Sequence, residues 1–469
     1  MKRITYLFSA LILITGLASC KKWLDVSPGT QVQQEEFYST EAGFNQALLG
    51  SYVKMERGLY ADNLTMTTLS AMGQNYQTSL TGNPFLEHAK YNYNAPAVKD
   101  TIKVIWSKMY TAIAGVNNIL EHVETSKPVL FKNHYNIVKG EALGLRAFLH
   151  FDLLRMFGPM PATGGNTAAI PYIKTFGKTI TPLSTTNAII NACLADLDEA
   201  ESLLAVNKEV IYANDDRFIS YTRNHFNYWA VKALKARIYL YKGDKIKAAQ
   251  YANEVISSEK FPFVNRSTFN QSANQDHTFS TEHVFALQVP LLKDMVDRRF
   301  RLEGVPSYQT STLYLSTATI NSLYETQQGG TTDYRYLYNI RTYTNVSYTT
   351  KYWQDGLTNL EIAKQIPLIR LSEMYYIAAE ASPDLGQALQ LINKIRTQRG
   401  LENLNITLDE NRRMAEIEKE YIKEFYGEGQ LFFFYKRLER PIIPRSTVGM
   451  TNLTYTFPLP DDEIEFGNR

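Results

Sequence analysis

The chain has 469 residues, 49 of them Lys or Arg and 47 Asp or Glu, so its formal net charge is only +2. That balance excludes the dense cationic surface that nucleic acid or an anionic membrane face would need as main partner. Two cysteines, Cys20 and Cys193, exclude a disulfide framework, and 31 tyrosines against four tryptophans give an unusual aromatic composition.

Lys2 and Arg3 precede an apolar run from Tyr6 to Leu17, and small residues lead into Cys20. A basic head, a short apolar segment and small residues before a cleavage point are the pattern of a secretory signal. The run is short for a bilayer span, which takes about 20 residues. With Leu17-Ala18-Ser19-Cys20 the site resembles a bacterial lipobox, which implies that residues 1–19 are removed and that Cys20 is acylated. One acyl chain binds a membrane only marginally, whereas the several implied here would hold the protein almost permanently. Residues 20–34, with Ser27-Pro28-Gly29-Thr30, read as a lipidated, flexible tether.

Thr40 caps a predicted helix that carries Phe44, Ala47, Leu48, Tyr52 and Met55 at helical spacing. Residues 70–100 read as a long polar loop holding Tyr76, Phe85, Tyr91 and Tyr93, and loops of that length are usually functional. A helix is predicted over 102–124 and another over 135–157, the latter stopped by Gly158-Pro159. This second helix is apolar on every side yet carries Glu141, Arg146, His150, Asp152 and Arg155. Apolar character all round predicts burial, and buried charges must be paired. Asp152 and Arg155, three apart, share one face. Use of Glu141 or Asp152 as a catalytic acid or base is the alternative. Residues 160–182 form a loop able to bear short strands, and a helix follows over 185–204 with Cys193 as a small buried hydrophobe.

The stretch 224–257 is the most informative. A helix runs to Tyr241, Lys242-Gly243-Asp244 turns, and a second helix carries Ala248, Ala249, Ala252 and Val255. This is the spacing of a tetratricopeptide-like helical hairpin. A second pair occupies 367–399, and the helices at 102–157 make a third. The fold class is therefore mainly α: tetratricopeptide-like hairpins with long irregular insertions and few short strands. Such stacks usually dock a protein.

Residues 260–366 interrupt the helical pattern. Tyr334, Tyr336 and Tyr338 alternate, so on a strand they would share one face. Tyrosine-rich irregular segments suit recognition, with flat apolar rings and hydroxyls that hydrogen-bond. The candidate ligand contacts are Asn75, Tyr76, Tyr308, Tyr314, Tyr336, Tyr352 and Trp353. One helix is predicted over 411–439, burying Phe425 and Phe432–Phe434, before a proline-marked extended finish. The sequence carries no nucleophile elbow, phosphate loop, His-Glu-x-x-His or Cys-x-x-Cys, and no cofactor or metal is expected. His277 and His283 read as solvated polar residues. The Asp461-Asp462-Glu463 cluster is too small an oxygen set to certify a calcium site.

Seven stretches in order resemble the SusD/RagB family of nutrient-uptake lipoproteins. They are GEALGLRAFLHFDLLRMFGPMP (140–161), ALKARIYLYKGDKIKAAQYANEVI (233–256), TDYR (332–335), IPLIRLSEMYYIAAEA (366–381), LINKIRTQRGL (391–401), EFYGEGQLFFFYKR (424–437) and YTFPLPDDEI (455–464). Gly427, Leu431 and Phe434 depart from the family, standing where members often have Phe, Arg and Asp. The resemblance implies an N-terminal part (35–225) and a C-terminal part (226–469) of one integrated unit. It also implies a non-catalytic protein, lipid-anchored in the cell outer membrane and facing the exterior. Such a protein would capture an oligosaccharide, or a peptide, and act as a lid on a SusC-like TonB-dependent transporter. A surface hydrolase is the remaining alternative from the residues themselves.

Overall fold

The computed structural model describes residues 34–79, 82–271, 273–301 and 312–467. Helix α1 (Glu41–Met55) starts where Thr40 Oγ1 accepts the Gly43 N–H. After the short helices α2 (Thr68–Met72) and α3 (Leu86–Ala89) comes the long α4 (Pro96–Val123). It begins six residues before the predicted 102, because Pro96 occupies its first turn, where a missing N–H costs nothing. Helix α5 (His134–Phe157) is buried on every side from Gly140 onward. The two-stranded ladder of β1 (Ala168–Ile170) and β2 (Ser184–Thr185) precedes α6 (Thr186–Leu204), where Cys193 is fully buried against the Ala147 carbonyl.

The hairpin α7 (Tyr228–Lys242) and α8 (Lys245–Ser257) turns at Gly243, whose φ of +85° only glycine adopts easily. Its second strand-bearing insertion holds β3 (His283–Gln288), α9 (Leu292–Phe300), β4 (Leu315–Ser316) and α10 (Thr317–Leu323). Then follow α11 (Tyr334–Asn339), β5 (Ile340–Tyr343), β6 (Val346–Thr349) and β7 (Gln365–Arg370). β3 and β7 pair antiparallel, Phe285 opposite Ile369, while β4-β6-β5 forms a separate antiparallel sheet. Helices α12 (Leu371–Ala381) and α13 (Leu385–Gln398) make the next hairpin. The chain ends in α14 (Glu410–Glu424), α15 (Gln430–Arg437), α16 (Asn452–Tyr455) and α17 (Asp461–Phe466).

Neighbouring helices pack in the order α1, α4, α5, α6, α7, α8, α12, α13, giving one continuous stack with a single large apolar core. The mainly α architecture with helical hairpins and short strands is as the sequence predicts. Three local expectations are corrected. Tyr334, Tyr336 and Tyr338 lie on a helix, because Asp333 caps it by accepting the Arg335 N–H at 2.9 Å. The single helix over 411–439 is two, parted by Gly427 (φ +74°) and Gly429 (φ +72°). His283 is buried and donates to the Thr278 carbonyl at 2.9 Å, and half-buried His277 meets Asn339 Oδ1 at 3.0 Å. Burial holds the His283 imidazole down at about 3. Leu431 and Phe434, the departures from the family pattern, are packed apolar, with Phe434 stacked 4.5 Å from Tyr421.

Candidate functional site

Six of the seven shared stretches contribute polar groups to buried ion pairs, and three of them send an arginine to one carboxylate of a fourth. Glu424 at the end of α14 accepts from Arg399 Nε (3.0 Å) and Nη2 (2.7 Å), from Arg335 Nη1 (3.0 Å) and from Arg370. Arg399 also grips Glu282 at 2.6 and 2.7 Å, and Arg335 grips Asp333 and Glu420. Arg370 reaches Glu428 at 2.9 Å, which Lys351 also contacts at 2.7 Å. All of these groups are buried. Burial alone would raise the Glu424 carboxyl, but Arg399, Arg370 and Arg335 hold it well below the usual carboxylate range. Burial likewise pushes Glu420 up, and Arg335, Lys423 and Arg396 overcome it and hold it at about 2. Bidentate guanidinium–carboxylate pairs fix geometry as well as charge. The network therefore locks α11, β7, the end of α13 and α14 into one rigid centre. Sequence reasoning reached each stretch but not their convergence; the only signal was an Arg or Glu in each otherwise apolar motif.

From this centre the chain leads to the surface. Lys351 donates to the Glu424 and Tyr426 carbonyls, Tyr352 Oη donates to the Gly427 carbonyl at 3.2 Å, and Trp353 Nε1 donates to the Phe300 carbonyl at 3.2 Å. The 70–100 segment meets the same place. The Tyr76 ring lies 6.0 Å from Phe300 and 5.7 Å from Tyr426, and Gln77 N–H donates to the Tyr314 carbonyl at 2.8 Å. So the two segments singled out for recognition, far apart in the chain, are brought together.

The individual side chains sit differently from the expectation. Asn75, Tyr76, Tyr314, Tyr352 and Trp353 are buried, and Tyr336 is half-buried with its hydroxyl on Asn321 at 3.0 Å. Their rings pack this layer from within, and Tyr76 Oη donates to the Met66 carbonyl at 2.8 Å. Tyr308 and Cys20 lie outside the described residues. The outer surface of the layer is charged instead. Arg301 and Arg341 sit over the Trp353 ring, 4.2 and 5.1 Å from its centroid, and Arg299 sits over Phe85 at 5.1 Å. Asp297 and Asp355 take up Lys293 (2.6 and 3.1 Å) and Arg301. A hollow of about 120 Å³ opens beside α9, lined by Glu56, Arg57, Leu291, Asp294, Met295 and Arg298.

The carboxylates weighed for catalysis are committed elsewhere. Glu141 accepts from Tyr52 Oη (2.7 Å) and pairs with His225 Nδ1 (3.0 Å), and Asp152 accepts from Tyr60 Oη (2.7 Å) and Arg155 Nε (3.1 Å). Burial pulls the His225 imidazole down, but Glu141 outweighs it and holds it above its usual value. These are the paired charges that a buried helix requires. Among the described residues no group of three or more His, Cys, Asp or Glu is arranged to hold a metal ion, and Asp461 and Asp462 pair with Lys99 (3.3 Å) and Lys103 (2.6 Å). No helix among them is long and apolar enough to cross a membrane.

Comparison with known proteins agrees with this architecture. Residues 214–464 match the description "SusD family", and residues 22–240 match "Starch-binding associating with outer membrane". SusD-like protein P38 of Formosa agariphila is 25% identical over 260 residues, covering 55% of this chain and 46% of that protein. The chain thus spans about half the length of the curated relatives it matches. A crystal structure of a SusD superfamily protein from Bacteroides thetaiotaomicron superposes with TM-score 0.72 at 22% identity, over 92% of this chain and 98% of that one. A laminarin-binding SusD-like protein superposes with TM-score 0.67 at 17% identity, over 91% and 97%.

Proposed function

The chain belongs to the SusD family, and from that premise we propose that it captures an oligosaccharide and passes it to a SusC-like TonB-dependent transporter, over which it sits as a lid. It does so at the outer membrane, held there by acylated Cys20. The observation that carries this reading is the meeting of the 70–100 and 312–355 segments at one face, fixed from beneath by the ion-pair centre. A rigid base under surface loops is the arrangement that recognition needs, because ordering costs are met before the ligand arrives. The laminarin-binding neighbour supports a glycan as the captured molecule.

The test is a calorimetric panel of laminari-oligosaccharides, malto-oligosaccharides and short peptides on the purified protein. At least one glycan is expected to bind, with no turnover of the sugar over the titration. Binding confined to the peptides would replace the glycan reading with a peptide one. Hydrolysis of a bound glycan, lost on one carboxylate substitution, would make the protein an enzyme.

A further inference from the structure

Among the described residues, the buried arginines are matched to carboxylates. Arg146 pairs with Asp196, Arg237 with Glu373, Arg437 with Glu380, and Arg399 with two glutamates. Arg299, on the face just described, has no carboxylate partner, a state it shares with half-buried Arg223. It is half-buried over the Phe85 ring, and among the described residues no carboxylate lies within ion-pair distance and no acceptor takes a hydrogen bond from its side chain. Burial pulls its guanidinium below the ordinary value, and Asp62 nearby only partly opposes this, while Arg298 adds to it. The adjacent carboxylates are already taken: Asp297 and Asp355 by Lys293 and Arg301.

Asn83 orders the backbone that carries the Phe85 ring. Asn83 is buried, and its Oδ1 accepts the Phe85 N–H at 2.9 Å, which fixes which end of the amide is which. Its Nδ2 then has no acceptor among the described residues. Arg299, half-buried beside Phe85, lacks the acceptor that burial ordinarily demands.

We propose that the captured glycan is acidic, and that Arg299 receives its negatively charged group, a sugar carboxylate or a sulfate ester. Both groups offer coplanar or clustered oxygens that a guanidinium meets with paired N–H donors. The inference rests on the reading that this face is the ligand surface.

Three probes of similar length separate the cases: an oligogalacturonate, a sulfated galactan oligosaccharide and a neutral laminari-oligosaccharide. Each is titrated into the wild-type protein, Arg299→Gln and Arg299→Lys, at low and high salt, with thermal unfolding as the check on folding. One charged probe is expected to bind at least about tenfold more tightly than the neutral one. That margin should vanish in Arg299→Gln, persist in part in Arg299→Lys, and shrink with salt. The preferred charged probe tells carboxylate from sulfate. Equal affinity for charged and neutral probes, or an equal loss for both on substitution, overturns the acidic-ligand inference and leaves glycan capture standing. Should Arg299→Gln not fold, a margin undiminished in Arg299→Lys would overturn it. Failure of every glycan, these and the wider panel, would sink the capture reading itself.

Discussion

Glu420 and Glu424 illustrate how a side chain can matter without touching a ligand. A buried ion pair is weak evidence for net stability, since desolvation opposes the attraction, but stripping one partner strands the other. The pH dependence follows from the sign of the shift. Glu420 is held at about 2 against an ordinary value near 4.5, so the unfolded chain takes up its proton first as pH falls. The stabilisation is complete above pH 4.5, drains between there and pH 2, and amounts to on the order of 3 kcal/mol for this group. Urea unfolding at stepped pH should show that loss, and in Glu420→Gln the slope over this window should be shallower. An unchanged slope would remove Glu420 from the set of groups that govern acid stability.

At the scale of elements, Gly429 marks the break that turned one predicted helix into two. Its φ is +72°, and a Cβ built there would lie 2.1 Å from the Leu64 carbonyl oxygen. Gly429→Ala should therefore cost about 3 kcal/mol, from left-handed strain plus backbone displacement. A chemical-denaturation midpoint equal to wild type would refute that account. The same region shows what periodicity reveals and what it hides. The helices of the stack were legible because Ile105, Met109, Ile113 and Val116 in α4, or Ala248, Ala252 and Val255 in α8, repeat at the helical period. The alternation of Tyr334, Tyr336 and Tyr338 was misleading because a single capping carboxylate, Asp333, decides for helix and no short pattern outweighs it. The recognition segments were legible as segments. Which of their side chains face outward was not, because tyrosine serves equally in a core, where Tyr76 and Tyr352 find backbone carbonyls for their hydroxyls. Arg299 carried no pattern at all: that it lacks a partner is something only the fold exposes.

For the whole molecule, the proposed function makes anchoring and recognition separable. The stack and its ion-pair centre are complete within the described residues, whereas Cys20 lies upstream of them. Cys20→Ala should release the protein into the soluble fraction and impair glycan uptake, while glycan affinity measured in solution stays at the wild-type value. Retention in the membrane fraction would rule out Cys20 as the anchor.

The ion-pair centre also has a consequence for synthesis. Its members are drawn from Glu282, Asp333, Arg335, Lys351, Arg370, Arg399, Glu420, Glu424 and Glu428, so cations precede most of the anions that neutralise them. While the chain emerges from the ribosome, Arg335, Arg370 and Arg399 appear before Glu424 exists. A chain truncated ahead of α14 would have to bury these guanidiniums with too few counter-charges, which is costly enough to forbid the compact state. By this account a copy ended ahead of α14 stays unfolded and open to degradation.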